Sequence, residues 1–255
     1  MNQKYIVVGT GNLAVKVAQY LCEQKKDVAV YEKRLAHSFT AGESCAAKQL
    51  AYKQLTPEEM TAQLLSDLET GPLTVISAIN TYIFPRAVIE HPNFYGINYH
   101  NALLPAHRGM NAEAWAIFQM DPYSGITWHR MIEQVDKGEI ICQKKIALPA
   151  SITSMKLLRI QRDFAFQSFL EFAPQLLDGS LSTYPQSTEP GEFHWIHAVP
   201  NDGYLDLSWS MEKISAFLRA MDYGALYTLG KPKIKLDDTY IHTYIRLRTI
   251  SNYTK

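Results

Sequence analysis

Tyr5-Ile6-Val7-Val8-Gly9-Thr10-Gly11-Asn12-Leu13-Ala14 runs from an apolar strand through a glycine turn into a helix. Four successive β-branched or aromatic residues read as a strand buried on both faces. The helix is expected over 12 to about 23, with Leu13, Val17 and Tyr20/Leu21 on one face. Outward from this unit the alternation continues. Residues 28–31 read as the next strand, and 57–69 as a helix with Pro57 near its start and acidic residues in its first turn. Residues 75–78 and 96–99 read as short buried strands, 112–120 as a helix, 125–131 as an alternating strand and 153–178 as a long Leu- and Phe-rich helix. Strands alternating with helices give an α/β fold built on a mostly parallel, wound sheet.

The glycine turn also matches G-x-G-x-x-G/A, and Glu32 ends the next strand where an acidic ribose-binding residue would sit. Taken alone this reads as an NAD-dependent oxidoreductase. Close strand-to-helix packing would select the same small residues, so the turn leaves both readings open.

The character of the chain changes near Leu181. Residues 182–191 are rich in Ser, Thr, Pro and Gly and read as a linker or long loop. Beyond it, 193–199 and 204–209 look strand-like. Ser210 is placed to cap a helix carrying Ile214, Phe217, Leu218 and Met221, with Gly224 to stop it, and 234–247 is again strand-like. The expected division is therefore a domain over 1–185 and a small C-terminal subdomain over 190–255.

Bulk properties exclude several classes. The 255 residues are 47% hydrophobic, enough for a sizeable core. Twenty-five basic residues balance 25 acidic ones, which argues against a broad grip on nucleic acid or an anionic membrane. Cys22, Cys45 and Cys142 are far apart, odd in number and without metal-ligand spacing, so they read as reduced thiols. The polar start MNQK lacks the apolar stretch of a signal peptide, and no segment approaches the length of a membrane span. A cytoplasmic protein without a bound metal is expected.

The chemistry is concentrated in Gly96-Ile97-Asn98-Tyr99-His100-Asn101-Ala102-Leu103-Leu104-Pro105-Ala106-His107-Arg108-Gly109. Residues two apart share a face of a strand, so Asn98 and His100 should project together at its end. Val135-Asp136-Lys137-Gly138-Glu139 then offers a carboxylate on a glycine turn. An amide, an imidazole and a carboxylate suit acyl transfer to an amine: two donors for the developing oxyanion and a proton carrier. On spacing alone N-x-H reads as readily as a strand-end asparagine fixing a turn and a core histidine. His129, two residues from Thr127, reads first as a structural hydrogen-bond partner, Trp115 as helix core, and Arg108 as either a loop anchor or a phosphate ligand.

The run from Asn98 to Pro105, followed by Arg108-Gly109 and Trp115, resembles the N-x-H-x-S-L-L-P…R-G signature of the folate-dependent formyltransferases. Residues 125–129, Gly-Ile-Thr-Trp-His, and 135–141, Val-Asp-Lys-Gly-Glu-Ile-Ile, resemble that family's G-x-T-x-H and D-x-G-x-I motifs, in its order and at its spacing. The resemblance covers about 75–185 firmly and the first strands loosely. It departs at Asn101-Ala102, where many relatives carry Pro-Ser or a similar pair.

The resemblance implies a formyltransferase fold with a Rossmann-like sheet that does not use NAD. It implies 10-formyltetrahydrofolate as donor and Asn98, His100 and Asp136 as the catalytic set. It also implies a folate site between two loops, Asn80, Thr81, Tyr82, Ile83 and Phe84 on one side and Glu133, Gln134 and Val135 on the other.

The acceptor is then a small-molecule amine. Tyr204-Leu-Asp-Leu-Ser-Trp209, Phe217-Leu-Arg-Ala220 and Gly224-Ala225 resemble the stretch that opens the C-terminal region of transfer-RNA and amino-sugar formyltransferases. The short remainder and zero net charge disfavour a tRNA. A nucleotide-linked amino sugar is the first reading, and an amino acid or carrier-bound natural-product amine the second. A 10-formyltetrahydrofolate hydrolase using the same trio, and the NAD enzyme, remain as alternatives. The region 193–225 is expected to shape the acceptor site or a homodimer interface.

Overall fold

The computed structural model describes residues 3–34, 41–224, 229–236 and 239–242. Its chain order begins β1 (Lys4–Gly9), α1 (Gly11–Glu23), β2 (Asp27–Lys33), α2 (Gly42–Ala47), β3 (Ala51–Leu55), α3 (Pro57–Glu69), β4 (Leu73–Ala78), α4 (Arg86–Ile89) and β5 (Phe94–His100). It continues with β6 (Arg108–Gly109), α5 (Ala112–Gln119), β7 (Tyr123–Arg130), β8 (Ile140–Ala147), α6 (Ser154–Asp178) and β9 (Phe193–His194). A 3-10 turn (Pro200–Gly203), α7 (Met211–Ala220), β10 (Lys233–Leu236) and β11 (Thr239–His242) complete it. Seven strands make one sheet in the order β3-β2-β1-β4-β5-β7-β8. The pairs β1–β2, β1–β4, β2–β3 and β4–β5 are parallel, and β5–β7 is antiparallel. The expected α/β, mostly parallel sheet is present.

The two-residue period of β1 sorts its side chains between two cores. Tyr5 and Val7 pack with Leu13, Val17 and Leu21 of α1 and with Phe169 and Phe172 of α6, while Ile6 and Val8 pack with Met60, Leu64 and Leu68 of α3. Trp128 sits fully buried in the first core and donates its indole N–H to the Ala165 carbonyl. Helix α3 starts where the sequence places it, because Thr56 and Glu59 form a reciprocal capping box ahead of Pro57. Gly9 is set by packing: a Cβ there would lie 1.9 Å from the Ala78 carbonyl oxygen of β4. Gly11 adopts φ +66°, the left-handed region.

The chain forms two compact units, neither contiguous. The first holds residues 1–108, 125–144 and 161–192, and the second 109–124, 145–160 and 193–255. Residues 182–191, read as a linker, belong to the first unit. The 190–255 segment does not close a unit alone, since α7 shares the second unit with α5 and with residues 154–160 of α6.

Two expected strands are corrected. Of 193–199 only Phe193–His194 is a strand, and Trp195 and Ile196 lie exposed. Of 204–209 only Tyr204 makes a bridge, to Lys233; the rest turns because Asp206 accepts from both the amide and the hydroxyl of Ser208. Ser210 does cap α7, accepting from the Lys213 amide, and the helix stops at Ala220, ahead of Gly224. Residues 234–236 and 239–242 form the antiparallel pair β10–β11, and 243–247 lie outside the described residues. No described helix is long and apolar enough to cross a membrane.

Candidate active site

β5 carries Asn98 and His100 two residues apart, and its register sets them opposite His129 and Thr127 of β7. Asp136 comes from the loop between β7 and β8, with φ +55°. The loop closes tightly at Gly138, where a Cβ would lie 1.9 Å from the Arg130 carbonyl oxygen. One Asp136 oxygen, Oδ2, lies 3.5 Å from His100 Nδ1. The other, Oδ1, lies 3.4 Å from both His129 Nε2 and Asn98 Nδ2. Asn98, His100 and Asp136 therefore meet, and His129 joins them. His100, His129 and Asp136 are buried, while Asn98 is half-buried.

The partners fix the protons. A carbonyl only accepts, so His100 Nε2, 2.9 Å from the His107 carbonyl, carries a hydrogen and donates it. His100 Nδ1 then faces the Asp136 carboxylate. His129 Nδ1 donates to the Arg130 carbonyl at 2.8 Å, which leaves Nε2 to accept from the Asn98 amide at 3.0 Å. That bond sets which end of the Asn98 amide points inward. Burial pushes the His100 pKa below the ordinary value, against the opposing pull of the Asp136 charge and the His107 carbonyl. Burial thus favours the neutral imidazole, with Nδ1 turned toward the Asp136 carboxylate. Nδ1 and Oδ2, 3.5 Å apart, are placed to hold a proton between them.

The loop after β5 is held from three sides. Thr127 Oγ1 donates to the Ala102 carbonyl and accepts from the Leu104 amide. Gln143 donates to the Leu104 carbonyl, and Gln161 of α6 to the carbonyls of Asn101 and Gly125. Arg108 donates to the Gly191 carbonyl, which makes it a loop anchor. Trp115 stacks on His194 with ring centroids 4.3 Å apart.

The two loops expected to hold folate differ side chain by side chain. Asn80 closes its own loop, accepting from the Tyr82 amide and donating to the Tyr82 carbonyl. Tyr82 and Phe84 are core residues in edge-to-face contact, and the Tyr82 hydroxyl bonds Thr61, so their rings are committed to the protein interior. Ile83 is 69% exposed and Val135 40%. Glu133 and Gln134 are exposed and Thr81 is half-buried. Of the apolar side chains in these two loops, Ile83 and Val135 are exposed, while the Tyr82 and Phe84 rings pack inward.

Glu32 is buried, and its Oε2 accepts from the Ala41 amide and the Tyr52 hydroxyl. It faces the protein interior. His129, read from the sequence as a structural hydrogen-bond partner, bonds Asn98 and also lies beside Asp136, a placement the sequence reading did not give. The available signal was register, since a strand antiparallel to β5 can set its own histidine opposite Asn98.

Residues 4–171 match the family described as formyl transferase. A GDP-perosamine N-formyltransferase of Brucella melitensis is 30% identical over 151 residues, 59% of this chain and 57% of that protein. The match thus spans little more than half the length of that relative. A methionyl-tRNA formyltransferase of Lactobacillus gasseri is 26% identical over 91% of this chain and 77% of its own. Among solved structures, an N-formyltransferase from Helicobacter canadensis, in complex with folinic acid and dTDP-3-aminofucose, shares the fold. Its TM-score is 0.72 at 17% identity, covering 86% of this chain and 80% of that one.

Proposed function

The chain belongs to the formyl transferase family, and from that premise we propose that it moves the formyl group of 10-formyltetrahydrofolate onto a small-molecule primary amine. A nucleotide-linked amino sugar is the acceptor that fits best. The observation that carries the chemistry is the His100–Asp136 pair, with Nδ1 and Oδ2 3.5 Å apart and the Asn98 amide at its more open side.

The donor supplies an activated formyl carbonyl. Exposed Ile83 and Val135 offer apolar surface to a flat ring, and the backbone of 80–84 offers polar groups to its edge. Asn98 has two amide hydrogens. One is spent on His129, and the second, held only at 3.4 Å by Asp136, turns to the formyl oxygen as that oxygen gains negative charge. The attacking amine must lose a proton. It passes to the His100–Asp136 pair, where the new hydrogen lies between Nδ1 and Oδ2. The departing folate nitrogen must gain one, and the same pair returns it, so no net proton stays on the protein. A protein nucleophile is not required.

The acceptor reading draws on the Brucella relative, named for an amino sugar, and on the Helicobacter complex with a nucleotide-linked one. Balanced charge, 25 basic against 25 acidic residues, weighs against tRNA. The free cysteines Cys22, Cys45 and Cys142 suit a reducing compartment, so we place the work in the cytoplasm. The test is incubation with 10-formyltetrahydrofolate and a panel of nucleotide-linked amino sugars, read by mass spectrometry. A formyl adduct on one sugar, with stoichiometric tetrahydrofolate, is the expected result. Release of formate with every amine unmodified would instead make the protein a hydrolase.

A further inference from the structure

We infer that Gln186 is a positioning residue for Asp136, an inference that rests on the catalytic reading of Asp136 given above. Asp136 is held in the left-handed backbone region at φ +55°, a conformation uncommon for side-chain-bearing residues, though aspartate takes it more readily than most. The loop's own glycine explains the tight closure at 138 but not what fixes the peptide planes that follow Asp136 and Gly138. The Gln186 side chain does so. Its Nε2 lies 2.8 Å from the Asp136 carbonyl and 2.8 Å from the Gly138 carbonyl. A primary amide has two N–H groups, and here each has one carbonyl to serve.

Gln186 is itself held. Tyr184 and Ile140 exchange both backbone hydrogen bonds, at 2.7 and 2.9 Å, and the Thr183 hydroxyl donates to Glu139. Residues 183–186 thus lie along the chain that leaves the Asp136 loop and reach back over it. The glutamine touches none of the reacting groups. It acts through the Asp136 backbone, setting where the carboxylate sits relative to His100 and Asn98. A side chain misplaced by an ångström is enough to cost a reaction about 100-fold.

The test uses the full chain with Gln186→Leu, which keeps bulk and removes both donors, and Gln186→Asn, which keeps the amide but is one methylene short. Hydrogen–deuterium exchange comes first, because it does not depend on which reaction is catalysed. Amides of 134–139 should exchange faster in both variants, with α1 and β1 unchanged. Formyl transfer follows: kcat should fall about 10- to 100-fold, with KM for donor and acceptor within about twofold. Unchanged exchange in 134–139, or unchanged kcat in variants whose Asp136→Asn counterpart is inactive, would overturn the inference. An Asp136→Asn variant as active as wild type would instead sink the catalytic reading, and the exchange data would still decide whether Gln186 holds the loop.

Discussion

Two turns at strand ends in the same sheet advertise a ligand site, and only one of them gathers chemistry. At the end of β1, Gly9, Gly11 and Glu32 match a dinucleotide pattern, yet Gly9 is required by the approach of Ala78, and Glu32 is buried against Ala41 and Tyr52. At the end of β5, Asn98, His100 and His129 each come within 3.4 to 3.5 Å of Asp136, and carbonyl partners orient both imidazoles. Small residues at a turn are selected by packing as readily as by a phosphate. Three polar side chains buried together beside a half-buried fourth are costly unless something uses them, so convergence is the more telling sign.

The largest expected effects test the β5 side. Asn98→Ala and His100→Ala should each lower turnover by about 100- to 1000-fold, as loss of an oxyanion donor or proton carrier does elsewhere. The double variant should be little worse than the poorer single one, because the groups act as a unit. Steady-state transfer with circular dichroism as a folding control measures this. Comparable losses on substituting Glu32 would erase the contrast between the two turns.

His129→Leu should cost less, about tenfold, the equivalent of one orienting hydrogen bond of about 1.4 kcal/mol. The loss should appear in kcat, because His129 aims the Asn98 amide without touching substrate. An unchanged kcat would return His129 to the bland structural role that its sequence position suggests.

On the other side, Glu32→Gln should leave turnover within about twofold and lower stability by about 1–3 kcal/mol, the cost of mispairing a buried acceptor. Urea denaturation and the transfer assay on the same sample separate the two effects. A lost activity with intact stability would revive the dinucleotide reading.

The smallest effect is on pH. Burial depresses the His100 pKa, so the folded protein binds fewer protons than the unfolded chain just below the free-histidine value of about 6.5. Stability should therefore be full above that pH and fall as pH drops through it toward the folded value. His100→Gln should flatten this acid-side slope in pH-dependent denaturation. A slope unchanged by the substitution would assign it to other groups.

What the sequence reveals about this molecule follows from where its apolar residues point. β1, β4 and β5 are buried on both sides or nearly so, and their apolar runs read directly. β8 escapes notice because it is the sheet's edge and carries Lys144 and Lys145, one of them paired with Glu171. The false strands at 193–199 and 204–209 come from Trp195, Ile196 and Leu207, apolar residues that the fold leaves in solvent. Within the site, the trio is legible through motif order, whereas Gln186 is not. A glutamine in a Ser- and Pro-rich stretch carries no periodicity, and it is the Tyr184–Ile140 bridge and the Thr183–Glu139 bond that bring it to Asp136.

The most direct measurement is turnover of Asp136→Asn beside calorimetric binding of 5-formyltetrahydrofolate, a stable analogue of the donor. The substitution keeps size and hydrogen bonding but removes the charge that holds a proton with His100. The account predicts formyl transfer reduced by about 100-fold or more, with analogue affinity within about threefold of wild type and no binding of NAD by either protein. Near-wild-type transfer by Asp136→Asn, or NAD binding in place of the folate, would contradict it.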